Sequence, residues 1–282
     1  MNNSNAVENK GGPAPVGPAL VTVSSGDLSV TTGIKPASAC RTYIAADQFL
    51  QDEKLHASKA LEASRQTISA ARLKRYLTAA DDDLRTALRL HAWNAAVAGS
   101  LLPTLHLAEV TIRNFALKRL IAKYGKHWYN NSTLLDYRLS KKLAGELREA
   151  AQRELDLGRR GNLSDYITSE LTFGFWVNVF TKTFQPDLWH APLHSVLPGF
   201  PRGKTIVDLH DGVEFVRTFR NNVAHHKNIV FKPVVENYER TLKVTGLICG
   251  ATKAMAESLS TFPAIWAGAP VPIAKLRAAA AS

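Results

Sequence analysis

Arg220 is followed by four residues and then by His225 and His226, inside the stretch FRNNVAHHKNIV at 219–230. Histidine, with an ordinary pKa of about 6.5, takes or gives a proton near neutrality. It can therefore deprotonate a ribose 2′-hydroxyl or protonate a departing 5′-oxygen. Arginine stays charged, and its planar fork holds phosphate oxygens as negative charge builds in a transition state. In such a reaction the nucleophile is the ribose 2′-hydroxyl itself, so no metal cluster, serine or cysteine is needed and DNA is not cut. An arginine and two histidines at a helix end also occur for structural reasons, because the helix dipole favours a cationic histidine there. On spacing alone both readings stand.

The element that must position these groups is a helix. Val213, Val216, Phe219 and Val223 form an apolar stripe, with Arg217, Arg220, Asn221 and Ala224 on the adjoining face. On a straight helix Arg220 and His225 would lie about 140° apart in projection and about 7.5 Å apart along the axis. Bringing them to one phosphate requires the helix to end or bend near Ala224, or a second copy of the motif to face the first across a two-fold axis.

A second polar stripe lies in LHLAEVTIRNF, where His106, Glu109 and Arg113 fall within an arc of about 60° on an otherwise apolar helix. Glu109 and Arg113 have the spacing of an i,i+4 ion pair, so the stripe reads equally as an internal salt bridge or as the lining of a site. PGFPRGKT (198–205) resembles a phosphate loop only in composition: three residues separate Gly199 from Gly203 where four are required, and Pro201 removes a backbone N–H. It reads as a connecting turn. His190 and His194 have a zinc-like spacing, but Pro192 between them opposes a regular helix and Asp187 is the only further ligand nearby. They read as loop histidines, and neither a metal nor a cofactor is expected.

Thirty-five Lys+Arg against 24 Asp+Glu give a net charge of +11 in 282 residues, which makes polyanions the first partners to consider. No apolar run approaches the roughly 20 residues of a membrane span, and MNNSNAVENK is not a secretory leader, so a cytoplasmic protein is expected. Cys40 and Cys249 are too far apart in sequence to suggest a disulfide framework. The Gly-, Pro- and Ser-rich composition of residues 1–45 predicts a disordered tail, and Pro263, Pro270 and Pro272 predict a flexible tail over 260–282. Residues 46–259 between them form one domain. Its apolar periodicity predicts an all-α fold, with helices at about 58–79, from 84 to near Pro103, from Pro103 to about 124, and at 139–157, 164–184, 207–224 and 233–259.

The segments SAARLKRYLTAADDD, ALRLHAWNAAVAGSLLPTLHLAEVTIRN, ELTFGFWVNVF and VRTFRNNVAHH, in this order and spacing, resemble the Abi-like (abortive infection) family of the HEPN superfamily over residues 67–243. The resemblance implies a HEPN-like helical bundle with additional helices. Its hallmark is an arginine, four to six variable residues and a histidine, which in active members form a metal-independent endoribonuclease site, commonly at a homodimer interface, in antiphage or toxin systems. Arg220 and His225 match the catalytic pair, Asn221 the polar position after the arginine, and His226 the second histidine. Glu109, Arg113 and Asn114 match an E-x-x-x-R-N segment on an earlier helix. Where the family often continues with Glu-Pro, this chain has Lys227 and Asn228, which adds positive charge and removes a rigid turn. The expected partners are RNA, a second copy of the chain, and an antitoxin or phage-derived activator. A non-catalytic RNA- or nucleotide-binding HEPN module, or a protein using its dimer surface alone, are the rival readings.

Overall fold

In the computed structural model, which describes residues 58–159 and 161–281, every regular element among the described residues is helical. The all-α class follows directly. The expected tail over residues 1–45, and the start of the domain up to residue 57, lie outside the described residues.

The first expected helix is two, α1 (Ser58–Ile68) and α2 (Ala70–Ala79). Between them Ser69 takes φ 80°, and its hydroxyl accepts the Arg72 N–H at 3.4 Å, so the residue that breaks one helix caps the next. With ψ 143°, this positive-φ extended conformation at a residue other than glycine costs on the order of 1–3 kcal/mol. Asp83 starts α3 (Leu84–Tyr124), its carboxylate accepting the Thr86 N–H at 3.0 Å. This 41-residue helix passes straight through Pro103, where the sequence predicts a new start. Proline in a helix interior costs roughly 3 kcal/mol through a lost hydrogen bond and a clash with the carbonyl four residues back. Here that residue is Gly99, and both Gly99 and Pro103 face solvent, while Val97, Leu101 and Leu105 on the other face are fully buried. Water can take the freed carbonyl, and packing on both sides holds the helix together.

By length and composition α3 is also apolar enough to cross a membrane, with a window of mean hydropathy 1.4, contrary to the sequence expectation. In this fold it is the scaffold on which most other helices pack. α4 (Lys141–Asp156) is capped by Ser140 and stops at Gly158, which takes φ 68°. The helix expected at 164–184 divides into α5 (Leu163–Glu170) and α6 (Phe173–Asn178), because Leu171 is extended and Thr172 caps anew by accepting the Phe175 N–H. Two single-turn helices follow, α7 (Gln185–Leu188) and α8 (Leu193–Val196), and then the turn at 198–205. α9 (Ile206–Ala224) begins with a reciprocal capping box between Thr205 and Asp208. The helix expected at 233–259 is broken by extended Cys249 into α10 (Val234–Ile248) and α11 (Gly250–Leu259).

The expected flexible tail over 260–282 is a correction. Its residues form α12 (Phe262–Ala267) and α13 (Ile273–Ala281), and Phe262, Ile265, Leu276 and Ala279 are buried. Trp93 of α3 donates its indole N–H to the Ile265 carbonyl at 2.8 Å, and its ring lies 5.0 Å from that of Trp266. Pro263 and Pro272, read as breakers, sit in the first turn of α12 and just before α13, where a missing N–H costs nothing.

Two apolar clusters divide the length of α3. Leu73, Tyr76, Leu90, Trp93, Val97 and Leu105 pack with Phe219, Val223, Val230 and the C-terminal helices. Ala108, Ile112, Ala116 and Leu120 pack with Trp128, Phe175, Trp176, Val213 and Val216. The change from one cluster to the other falls between Leu105 and Ala108 on α3 and between Val216 and Phe219 on α9. Glu109 and Arg220 stand at that seam.

Candidate functional site

α9 ends where the motif demands. His225 is the C-cap residue, and His226 beyond it takes φ 53°. The His226 N–H donates to the Val223 carbonyl and the Lys227 N–H to the Asn222 carbonyl, both at 3.1 Å, so the helix closes in a Schellman motif. The left-handed position of that motif belongs by preference to glycine, and a histidine there is held at a cost of about 1 kcal/mol. Both imidazoles are exposed.

The turn that follows is held from three sides. Asn94 of α3, buried, donates to the Lys227 carbonyl at 3.3 Å and accepts the Val230 N–H at 3.2 Å. Tyr76 of α2 donates its hydroxyl to the Asn228 side-chain oxygen at 3.1 Å. Arg72, aimed by the break at Ser69, donates to the His226 carbonyl. Arg72, Arg75, His225, His226, Lys227 and Lys232 thereby surround one open depression of about 400 Å³. No carboxylate among the described residues lines it.

Arg220 points elsewhere. Its Nε donates to Glu109 of α3 at 2.9 Å and one terminal nitrogen to the Asn221 side chain at 3.3 Å, bridging α3 and α9 at the seam between the cores. With side chains 40% and 23% exposed, this ion pair is worth roughly 0.2–1 kcal/mol, so it orients Arg220 more than it stabilises the fold. The i,i+4 pair expected between Glu109 and Arg113 is not made. Glu109 is turned to Arg220, and the Arg113 Nε is buried without a hydrogen-bond partner among the described residues. Asn114 lies on the exposed side of α3. One chain thus brings Arg220, Asn221 and Glu109 together, and separately His225 with His226.

The lesser candidates resolve simply. Asp187 accepts from Tyr124 and Arg138, His190 and His194 are exposed, and no group of three or more metal-ligating side chains occurs among the described residues. The segment 198–205 is a turn, with Lys204 paired to Asp208 at 2.8 Å.

Sequence reasoning on the motif alone overlooks Arg72, Arg75, Lys232, Tyr76 and Asn94. The signal for the first two was present in RLKRY, where Arg72 and Arg75, three apart, border the buried Leu73 and Tyr76 on an amphipathic helix. The chain matches no family model, no curated protein and no solved structure.

Proposed function

We propose that this protein is a metal-independent endoribonuclease of abortive-infection type. The carrying observation is the end of α9: two exposed histidines on a turn pinned by Asn94, Tyr76 and Arg72, opening into a cationic depression that no carboxylate among the described residues lines. The resemblance of four ordered segments to Abi-like HEPN proteins supports the same reading.

In this reading Arg72, Arg75, Lys227 and Lys232 hold the RNA backbone, since single-stranded RNA offers phosphates to such a surface whatever its sequence. His225 takes the proton of the ribose 2′-hydroxyl, whose oxygen attacks phosphorus. The bond from phosphorus to the 5′-oxygen breaks, and that oxygen receives a proton from the imidazolium. The products are a 2′,3′-cyclic phosphate and a 5′-hydroxyl. Asn221 and His226 orient the pair. Arg220, fixed by Glu109, reaches the same phosphate when a second copy of the chain faces the first, so the active form is a homodimer. An antitoxin or a phage-derived activator would govern access to this surface.

The position of Arg220 favours one rival specifically. Its Nε is satisfied by Glu109 rather than aimed at the His225 depression, which suits a module that binds RNA without cutting it. The deciding experiment incubates wild type, His225→Ala and Arg220→Ala with the same RNA in chelator and maps the ends. Wild type is expected to leave 2′,3′-cyclic phosphates and to be blocked by a single 2′-deoxy substitution at the cut. His225→Ala is expected to bind but to cleave about 10²-fold more slowly or worse, and Arg220→Ala to lose both. Equal cleavage by wild type and a folded His225→Ala protein excludes the mechanism. Binding without cleavage by wild type on every RNA establishes the binding module.

A further inference from the structure

Beside the cationic depression lies a second hollow, of about 470 Å³, between the end of α1, the start of α2 and the first half of α3. Its volume falls in the range of roughly 300–1,000 Å³ typical of small-molecule sites. Ile68, Ala95 and Ala98 give it apolar walls, and His91 offers it an imidazole with no hydrogen-bond partner among the described residues. Asn94, also in the wall, is committed to the 227–230 turn. Arg72 and His226 line both hollows and form the ridge between them.

The chemistry of this slot differs from that of its neighbour. His91 is half-buried, with its ring edge-on to Tyr76 at 5.3 Å between centroids. Burial, and then the charge of Arg72, hold its pKa below the usual histidine range, so at neutral pH it is uncharged. A neutral imidazole presents one donor and one acceptor, the complement of a nucleobase edge. Among the described residues the Arg72 side chain has one hydrogen-bond acceptor, the His226 carbonyl, which leaves the rest of its guanidinium for a ligand. Arg guanidinium planes and His rings are among the surfaces that unstacked bases lie against in single-stranded RNA recognition.

We infer that this slot receives a nucleobase adjoining the phosphate held over His225, with Arg72 shared between base and phosphate. The inference rests on the reading of the cationic depression as an RNA-backbone site. It makes the protein a reader of unpaired nucleotides, because a base stacked in a duplex cannot enter the slot.

The probes are nucleoside 5′-monophosphates and ribose 5-phosphate, which carry the same phosphate with and without a base. Proton NMR of the assigned histidine rings follows each titration of the full chain. His225 and His226 are expected to shift with both ligands, and His91 with the nucleotides alone, which bind about tenfold tighter than ribose 5-phosphate. The double variant Ala95→Leu/Ala98→Leu fills the slot with a strong helix former and is expected to abolish that advantage while keeping the phosphate response. If both ligands bind wild type equally and His91 does not move, the slot inference is overturned and the backbone site stands. If neither ligand moves any histidine, both readings fall. The wild-type comparison decides the matter even if the double variant fails to fold.

Discussion

Asp187 and the end of α9 are both places where cations gather around a turn, and they differ in what balances the charge. Asp187 accepts from the Tyr124 hydroxyl at 2.7 Å and from the Arg138 Nε, with the Lys123 ammonium at 3.7 Å. The Arg138 hydrogen bond holds its pKa below the usual carboxylate range, while burial pushes the Tyr124 phenol up. Every partner in that cluster is answered from within the chain. At the end of α9, Arg72, Arg75, Lys227 and Lys232 border two histidines with no carboxylate from the described residues. The first arrangement is charge-balanced within the fold, whereas the second carries positive charge that no carboxylate among the described residues answers.

The largest effect that separates the two regions is in RNA affinity against salt. If about four phosphates of a single strand are bound near His225, affinity should fall roughly 50-fold between 50 and 200 mM salt through counterion release. Arg72→Ala should weaken binding and reduce the log–log slope by about 0.7, the contribution of one phosphate contact. Asp187→Asn should leave the slope where it was. Fluorescence titrations of one oligonucleotide at four salt concentrations measure all three proteins. A slope altered as much by Asp187→Asn as by Arg72→Ala would erase the distinction between a closed and an open cluster.

A smaller effect runs the other way, in stability. Asp187→Asn keeps the volume but removes the charge that answers Arg138 and Lys123, and leaves their hydrogen bonds poorly matched. Loss of a satisfied, largely buried acceptor costs about 1–3 kcal/mol. That should lower the melting temperature by several degrees in a protein of this size. Arg72→Ala, at an exposed position, should melt within about a degree or two of wild type. Thermal melts followed by circular dichroism check both, and equal melting of wild type and Asp187→Asn would show that the cluster is incidental.

The same contrast explains what could be read from the sequence. Local signals carried far: the helix start at 84, the helix end near 157, the stripe from Val213 to Val223 and the end of α9 at Ala224 are all decided by residues within a turn or two of one another. What escaped the sequence was set by distant partners. Pro103 marks no boundary because Leu101 and Leu105 are packed on the far face, and α12 is ordered because Trp93 receives it. Glu109 had an obvious local partner in Arg113, four residues on, and took Arg220, 111 residues on, instead. The histidines of the candidate site were legible by spacing. Lys227 adjoins them in sequence, but Arg72 and Arg75 came from α2 and Lys232 from beyond the turn, and only the folded chain assembles these.

The smallest effect concerns His91, which sits between the two regimes, inside the fold yet open to a hollow. Its neighbours are Arg72 and Tyr76 from α2 and His226 from the end of α9, and among them they offer no carboxylate to stabilise an imidazolium. Its pKa in the folded protein therefore lies below the ordinary value of about 6.5 that it regains on unfolding. Between those two values the unfolded chain binds the extra proton, so acidification favours unfolding. The stability associated with neutral His91 is complete above pH 6.5 and is lost as the pH falls through the folded value. Asp187, whose carboxyl titrates below its ordinary value near 4, is silent in that window and lends its stability until far lower pH. Wild type should thus lose more of its melting temperature than His91→Gln between pH 7.5 and 5. Melting both proteins across that range measures the difference. Parallel curves would mean that His91 is solvated like a surface histidine and charges without penalty, which would also remove the neutral donor–acceptor edge that the base slot requires.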